Sequence, residues 1–80
     1  MTWFVYILQC GDGSFYTGVT TDIERRLLKH NLGKGGRYTR SHLPVRLVWI
    51  EEVADRSLAQ SREVNIKNLS HVKKLALIYS

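Results

Sequence analysis

The chain has one cysteine, one proline and no long hydrophobic run among its 80 residues. The single cysteine, Cys10, excludes an internal disulfide bond and a zinc site built from clustered cysteines. Three histidines that stand apart and lack cysteine partners argue against a structural metal site. No apolar segment approaches the roughly 20 residues that a membrane-spanning helix needs, and the first residues do not resemble a signal peptide. We therefore expect a cytoplasmic protein without membrane association.

Acidic residues are also few, with 7 Asp and Glu against 12 Lys and Arg, which gives a net charge of +5. Such an excess on a small protein suits a polyanionic partner, with nucleic acid first and an acidic membrane surface second. A solvated basic surface that only keeps the protein soluble would have the same composition. Hydrophobic residues make up 44% of the chain, enough for a small core, and the length predicts one domain over residues 1–80.

The first half of the chain has the pattern of a β-hairpin followed by a helix. Residues 3–9 are aromatic and branched, as in a buried strand, and residues 14–20 resume an extended pattern after a Gly-Asp-Gly turn. Asp22 is a suitable N-cap for a helix that runs to about residue 31, and Gly33 would end it. We interpret Gly18 as a position where another group approaches the backbone closely.

The second half predicts a loop, a strand and two helices. Residues 32–44 are rich in glycine and polar side chains and form a loop, whereas residues 45–53 are apolar enough for a third strand. Asp55 or Ser57 can cap a helix that runs to about residue 69, and Ser70 can cap a last one. The order ββα–loop–βαα predicts an α+β fold, with a small three-stranded antiparallel or mixed sheet flanked by about three helices.

The first predicted helix places Arg26 and His30 along one edge of its buried side, because they are four residues apart. Ile23, Leu27 and Leu28 mark that buried side, and the remaining basic residues of the helix point to water. A guanidinium at the edge of a core needs an anionic partner. Either a glutamate of the chain or a ligand phosphate could supply the negative charge.

Two tyrosines precede this helix in the fragments "VYIL" and "YTG", ten residues apart on the predicted hairpin. Together with the arginine and histidine of the first helix and a glutamate after the third strand, they resemble the signature of the GIY-YIG endonucleases. The resemblance covers nearly the whole chain and is closest to the small stand-alone bacterial members. The residues that match the family's catalytic positions are Tyr6, Tyr16, Arg26, His30 and Glu63.

The chain departs from the family pattern at four points. Phe4 stands where the first tripeptide has glycine, and Thr17 occupies the middle of the second tripeptide. The asparagine that several family nucleases carry late in the domain has no counterpart, because Asn65 and Asn68 come too early. The DNA-recognition domain that usually follows is also absent from this sequence.

The resemblance implies a metal-dependent DNA endonuclease with a role in DNA repair or recombination. Glu63 would bind one divalent cation, Mg²⁺ or Mn²⁺, and Arg26 would hold the scissile phosphate. Tyr6 and His30 are joint candidates for the general base, with Tyr16 orienting water or substrate. We expect all five side chains to border one solvent-filled cleft, with no small-molecule cofactor and no obligate protein partner.

The basic loop over residues 32–44 mixes cations, glycines and an aromatic ring, a composition that suits contact with a nucleic-acid backbone or with unpaired bases. Its candidate nucleic-acid-binding residues are Lys34, Arg37, Tyr38, Arg40 and His42. Two other functions fit the same sequence. One is a nucleic-acid-binding domain that keeps the nuclease fold without turnover, and the other is a protein-interaction domain whose basic face is incidental.

Overall fold

The computed structural model describes residues 2–80, which form three strands and four helices. In chain order they are β1 (Trp3–Gln9), β2 (Phe15–Thr20), α1 (Ile23–Asn31), α2 (Arg37–Arg40), β3 (Arg46–Val53), α3 (Arg56–Lys67) and α4 (His71–Ile78). The strands form one antiparallel sheet in the order β2-β1-β3. The predicted α+β class and three-stranded sheet are confirmed, with one more helix than expected.

The β1–β2 hairpin closes through a turn that the sequence encodes locally. Asp12 accepts hydrogen bonds from the backbone N–H and the hydroxyl of Ser14, at 3.0 and 2.6 Å. Gly13 has φ +87°, a left-handed conformation that glycine adopts at little cost. The resulting register pairs Tyr6 with Gly18 and Leu8 with Tyr16 across the two strands. This register decides which side chains meet on each face of the sheet.

Both faces of the sheet are covered, because β1 lies in the middle and buries alternate side chains in opposite directions. On one face Val5 and Ile7 pack with Ala59 and Ile66 of α3. On the other face Tyr6 and Leu8 pack with Cys10 and Val45, and Ile23 and Leu27 of α1 lie against them. Helices α1 and α3 therefore flank opposite faces, and the face under α1 carries the predicted catalytic tyrosines.

Side-chain caps begin three of the helices at the positions that the sequence indicates. Asp22 accepts a hydrogen bond from the backbone N–H of Arg25, and Ser70 accepts one from Lys73. Of the two candidates for the third cap, Asp55 is the one that caps α3. One prediction for α1 is wrong: Leu28 is 60% exposed, so the buried side of the helix is narrower than expected.

The segment predicted as a loop over residues 32–44 contains the short helix α2, which is a second correction. Gly36 precedes this helix without a side-chain cap, so the usual sequence signal for a helix start is missing. The helix is fixed instead by tertiary contacts, because Thr39 is wholly buried and Tyr38 packs on the hairpin. In the part of the chain that the structure describes, no helix has the length and apolar character required to cross a bilayer.

Candidate active site

Tyr6 lies at the centre of β1, and its ring extends over the neighbouring strand at Gly18. A Cβ atom at position 18 would lie only 2.5 Å from the Tyr6 hydroxyl oxygen and 3.2 Å from the Tyr16 ring. Glycine at this position therefore makes room for the phenol, which is the close approach to the backbone that the sequence suggested. The Tyr6 hydroxyl therefore lies over β2, on the face of the sheet that α1 covers.

The first helix brings Arg26 and His30 to that hydroxyl. The Tyr6 oxygen lies 3.1 Å from His30 Nε2, and Arg26 Nε donates to it over a longer 3.4 Å. Arg26 Nη2 also donates to the backbone carbonyl of Gly35 at 2.7 Å. The i, i+4 spacing on α1 thus places a cation and an imidazole on either side of one phenol.

The second ring nitrogen of His30 contacts a residue that the sequence analysis missed. His30 Nδ1 lies 2.8 Å from the hydroxyl oxygen of Thr39, which in turn donates to the carbonyl of Gly36 at 3.3 Å. Gly35 packs so closely on the imidazole that a Cβ atom there would overlap the ring. A lone buried threonine produces no periodic pattern, so only the adjacent glycines signalled a close contact.

Tyr16 completes an aromatic cluster around the histidine. Its ring centroid lies 5.2 Å from that of His30 in an edge-on arrangement and 6.5 Å from that of Tyr6. On its outer side Tyr16 stacks with Tyr38 of α2, with centroids 6.5 Å apart and an interplanar angle of 18°. Tyr16 is half-buried and is the more accessible of the two predicted catalytic phenols.

The expectation that all five side chains border an open cleft is wrong for two of them. Tyr6 is 1% exposed and His30 is fully buried, because α1, Tyr16 and the segment around Gly35 cover them. Tyr16, Arg26 and Glu63 remain half-buried. Arg26 lines a surface depression of about 330 Å³ together with Arg25 and Lys29, so solvent reaches this one site residue from the side of α1.

Burial also sets the protonation of the two covered groups. It lowers the pKa of His30 to about 4, and the positive charge of Arg26 adds to this effect. Burial raises the pKa of the Tyr6 hydroxyl above its ordinary 10.0, although the hydrogen bond from Arg26 opposes the shift. That same hydrogen bond raises the pKa of Arg26. Near pH 7 the site therefore holds a neutral phenol, a neutral imidazole and a charged guanidinium.

Glu63 belongs to α3, which packs on the opposite face of the sheet from the tyrosines. Its negative charge is near enough to contribute to the raised pKa of Tyr6, although the hydroxyl and the carboxylate share no hydrogen bond. The ion-pair partner of Glu63 is Lys67, one turn later on α3, at 3.5 Å. Lys67 is exposed, and a pair of this kind is weak and easily exchanged for another cation.

The residues around Glu63 suit a cation that takes only one protein ligand. Across residues 2–80, no group of three or more His, Cys, Asp or Glu side chains is arranged to hold a metal ion. Mg²⁺ commonly binds through one or two carboxylates, with water and substrate phosphate as its other ligands. A half-buried carboxylate whose partner is an exposed lysine fits this mode of binding.

The predicted nucleic-acid-binding residues separate into two groups. Lys34, Arg37 and Arg40 line a surface depression of about 430 Å³. Tyr38 and His42 instead turn towards the hairpin: their rings stack at 4.3 Å, and Tyr38 donates to the Ser14 hydroxyl at 2.6 Å. Both residues therefore help attach α2 to the hairpin. Tyr38 is still 42% exposed, and the contact of these two residues with nucleic acid stays a prediction.

Arg62 of α3 has a structural role. Its guanidinium donates to both carboxylate oxygens of Glu51, at 3.0 and 3.4 Å, and lies 5.8 Å from the centre of the Trp49 ring. Arg26 differs, because no carboxylate within residues 2–80 lies at ion-pair distance from it. Of these two half-buried arginines, the one beside the tyrosines has no acidic partner.

Comparison with known proteins gives consistent matches over almost the whole chain. The family model described as the GIY-YIG catalytic domain matches residues 2–76. A UPF0213 protein of Desulfotalea psychrophila is 56% identical over 77 residues, which cover 95% of this chain and 70% of that protein. A UPF0213 protein of Streptococcus sanguinis is 49% identical over 75 residues, covering 94% and 86% of the two chains.

Two solved structures have the same fold. The solution structure of a UPF0213 protein from Bacillus halodurans superimposes with a TM-score of 0.64 at 47% identity, covering 99% of this chain and 84% of that one. The solution structure of a protein from E. faecalis gives a TM-score of 0.60 at 39% identity, with 96% and 88% covered. The names of these relatives state no substrate or reaction.

Proposed function

The chain belongs to the GIY-YIG family, and from that premise we propose that it is a divalent-metal-dependent endonuclease that hydrolyses phosphodiester bonds of DNA. The proposal includes the role in DNA repair or recombination that the sequence resemblance implies. A family domain of this kind supports a nuclease-type reaction. The choice of DNA, the metal and the role of each residue form part of the proposal.

The observation that carries the proposal is the environment of Arg26. A half-buried guanidinium with no carboxylate partner lies between a phenol and a backbone carbonyl, both of which are neutral acceptors. Its positive charge therefore remains available for an anion that arrives through the depression beside α1. A phosphodiester suits this position, because a guanidinium can donate two parallel hydrogen bonds to phosphate oxygens.

Arg26 would hold the scissile phosphate and oppose the charge that builds on its oxygens in the transition state. Removing one such contact typically lowers the rate by about 10²–10³-fold. Glu63 would hold the Mg²⁺ or Mn²⁺ ion. When bound, the ion supplies Lewis-acid stabilisation of the leaving oxygen.

The base in this proposal is the pair formed by Tyr6 and His30. As Tyr6 takes a proton from the attacking water, its own hydrogen passes to His30 Nε2, 3.1 Å away. The new phosphorus–oxygen bond forms while the ester bond breaks, and the departing oxygen takes its proton from solvent. Because Tyr6 is covered in the free protein, water would reach it once Tyr16 or the segment around Gly35 moves aside.

Lys34, Arg37 and Arg40 would contact backbone phosphates next to the cleaved one. They line one depression with Gly33 and Gly36, and the backbone carbonyl of Gly35 between those glycines accepts the Arg26 hydrogen bond. The cationic surface therefore continues directly into the site. Contacts of this kind carry no sequence information, so we expect binding that depends strongly on salt and weakly on sequence.

The test compares wild type with Arg26→Ala and Glu63→Ala on plasmid and branched DNA, with and without Mg²⁺. Arg56→Ala is the matched control, because it removes an exposed arginine that lies over Trp3, outside the proposed site. We expect Mg²⁺-dependent cleavage by wild type and control, and a loss of about 10²-fold or more in both site variants.

Other outcomes would select the two alternative functions. Equal cleavage by all four proteins would indicate a contaminating nuclease and leave the site without support. DNA retained in a gel shift but never cleaved would favour the binding domain without turnover, to which the burial of Tyr6 and His30 already points. If no salt-dependent binding to DNA is found, a protein-interaction domain becomes the better explanation.

A further inference from the structure

In the series of hydrogen bonds that runs from Tyr6 through His30 to Thr39, the donor and the acceptor of each bond can be assigned. His30 has a neighbour at each ring nitrogen, Tyr6 at Nε2 and Thr39 at Nδ1, at 3.1 and 2.8 Å. Both His30 and Thr39 are fully buried, so water does not complete their hydrogen bonds. Each polar atom of these two side chains must therefore find its hydrogen-bond partner within the protein.

The assignment begins with the hydroxyl group of Thr39. The Thr39 hydroxyl has one hydrogen, and the carbonyl of Gly36 at 3.3 Å can only accept it. With its hydrogen used there, the Thr39 oxygen accepts from His30, which requires a hydrogen on Nδ1. A neutral imidazole has a single N–H, so Nε2 has a lone pair that faces Tyr6.

The hydrogen bonds of Tyr6 agree with this assignment. Arg26 Nε can only donate, so the Tyr6 oxygen accepts from it and the Tyr6 hydrogen is free to point at His30 Nε2. The opposite arrangement, with the hydrogen on Nε2, would leave the Tyr6 hydrogen without an acceptor in a buried position. It would also turn the Thr39 hydrogen away from Gly36.

We propose that Thr39 is a positioning residue that holds His30 in the tautomer with its hydrogen on Nδ1, so that Nε2 is free to accept the proton of Tyr6. The catalytic use of that acceptor rests on the nuclease function proposed above, whereas the tautomer itself does not. Thr39 belongs to α2, in the segment whose outward side carries Lys34, Arg37 and Arg40. The same segment thus fixes the orientation of the buried imidazole.

The test uses nitrogen NMR of the His30 ring in ¹⁵N-labelled protein, together with cleavage rates. Thr39→Ser keeps the hydroxyl and Thr39→Val replaces it with a methyl group of similar shape. We expect a protonated Nδ1 and a bare Nε2 in wild type and Thr39→Ser. In Thr39→Val we expect loss of the protonated Nδ1 and a cleavage rate about 10²-fold lower, the lower end of what general acid–base catalysis contributes.

Each measurement decides a different part of the inference. A hydrogen on Nε2 in wild type, or an unchanged tautomer in a folded Thr39→Val, would overturn the role of Thr39. An altered tautomer without any change in cleavage rate would overturn its importance for the reaction. Absence of cleavage by wild type and all variants would reject the proposed nuclease function, while the NMR result would still decide the tautomer.

Discussion

The burial of His30 predicts that the protein loses stability between pH 7 and pH 5, where most proteins change little. The pKa of His30 is lowered from 6.5 to about 4 in the folded protein, because the ring is buried beside Arg26. In the unfolded chain the imidazole titrates near its ordinary value. Between these two values the unfolded state binds the extra proton, so stability rises with pH through this window and falls on acidification.

The size of the effect follows from the two pKa values. At pH 7 the folded imidazole is almost entirely neutral and the unfolded one is about three-quarters neutral. At pH 5 the unfolded imidazole is mostly protonated while the folded one is not, which lowers the free energy of unfolding by about 2 kcal/mol. That is a large part of the roughly 5–15 kcal/mol that stabilises a typical small protein. The groups that face the ring are Tyr6, Tyr16, Thr39 and the arginine, none of them a carboxylate.

Urea denaturation followed by tryptophan fluorescence measures this loss, since Trp3 and Trp49 both pack against the core. His30→Gln is the control, because it lacks this imidazole and keeps the other two histidines. From pH 7 to pH 5, the free energy of unfolding of wild type should fall by about 2 kcal/mol more than that of His30→Gln. Equal pH dependence of the two proteins, or titration of His30 near 6.5 by NMR, would refute the reasoning.

Four further predictions follow from the same contacts. Gly18→Ala should destabilise the protein by about 1–3 kcal/mol in urea denaturation, since its Cβ would lie 2.5 Å from the Tyr6 hydroxyl; wild-type stability would contradict the contact. Gly35→Ala should cost a similar amount because the new methyl group would overlap the His30 ring, whereas Gly36→Ala meets nothing closer than 3.8 Å and should be tolerated in the same assay. In ultraviolet titration the folded protein should ionise Tyr6 above pH 10.0, a component that Tyr6→Phe removes; a Tyr6 that ionises at or below this value would mean that burial does not control it. If cleavage uses neutral His30, its rate should hold from pH 7 to about pH 5, and a decline centred near 6.5 would show that another group limits it.

Local signals in the sequence were sufficient for the elements that position the site. Residues 3–9 match β1 at both ends, and Asp22 caps α1 as its type and position indicate. Because α1 is regular, its 3.6-residue period was enough to place Arg26 and His30 on the same side. The meeting of these residues with Tyr6 therefore follows from local chemistry and the register of the hairpin.

The features that the sequence did not predict all depend on contacts between distant segments. Helix α2 has no side-chain cap, and its position comes from a buried threonine and an aromatic stack with β2. The burial of Tyr6 and His30 depends on how closely Gly35 approaches the imidazole, which no periodic pattern encodes. The position of Glu63 depends on the packing of α3 against β1 and β2, which the sequence does not encode locally.

The segment that contains α2 has two sides with different tasks, and this limits how the protein can be redesigned. Its cations project outward, whereas Gly35 and Thr39 support the imidazole from within and Tyr38 contacts Tyr16. Exchanging the whole segment for that of a relative would therefore also disrupt the buried contacts of the imidazole. The outer charge is better altered by changing Lys34, Arg37 and Arg40 one at a time, which leaves Gly35, Tyr38 and Thr39 in place.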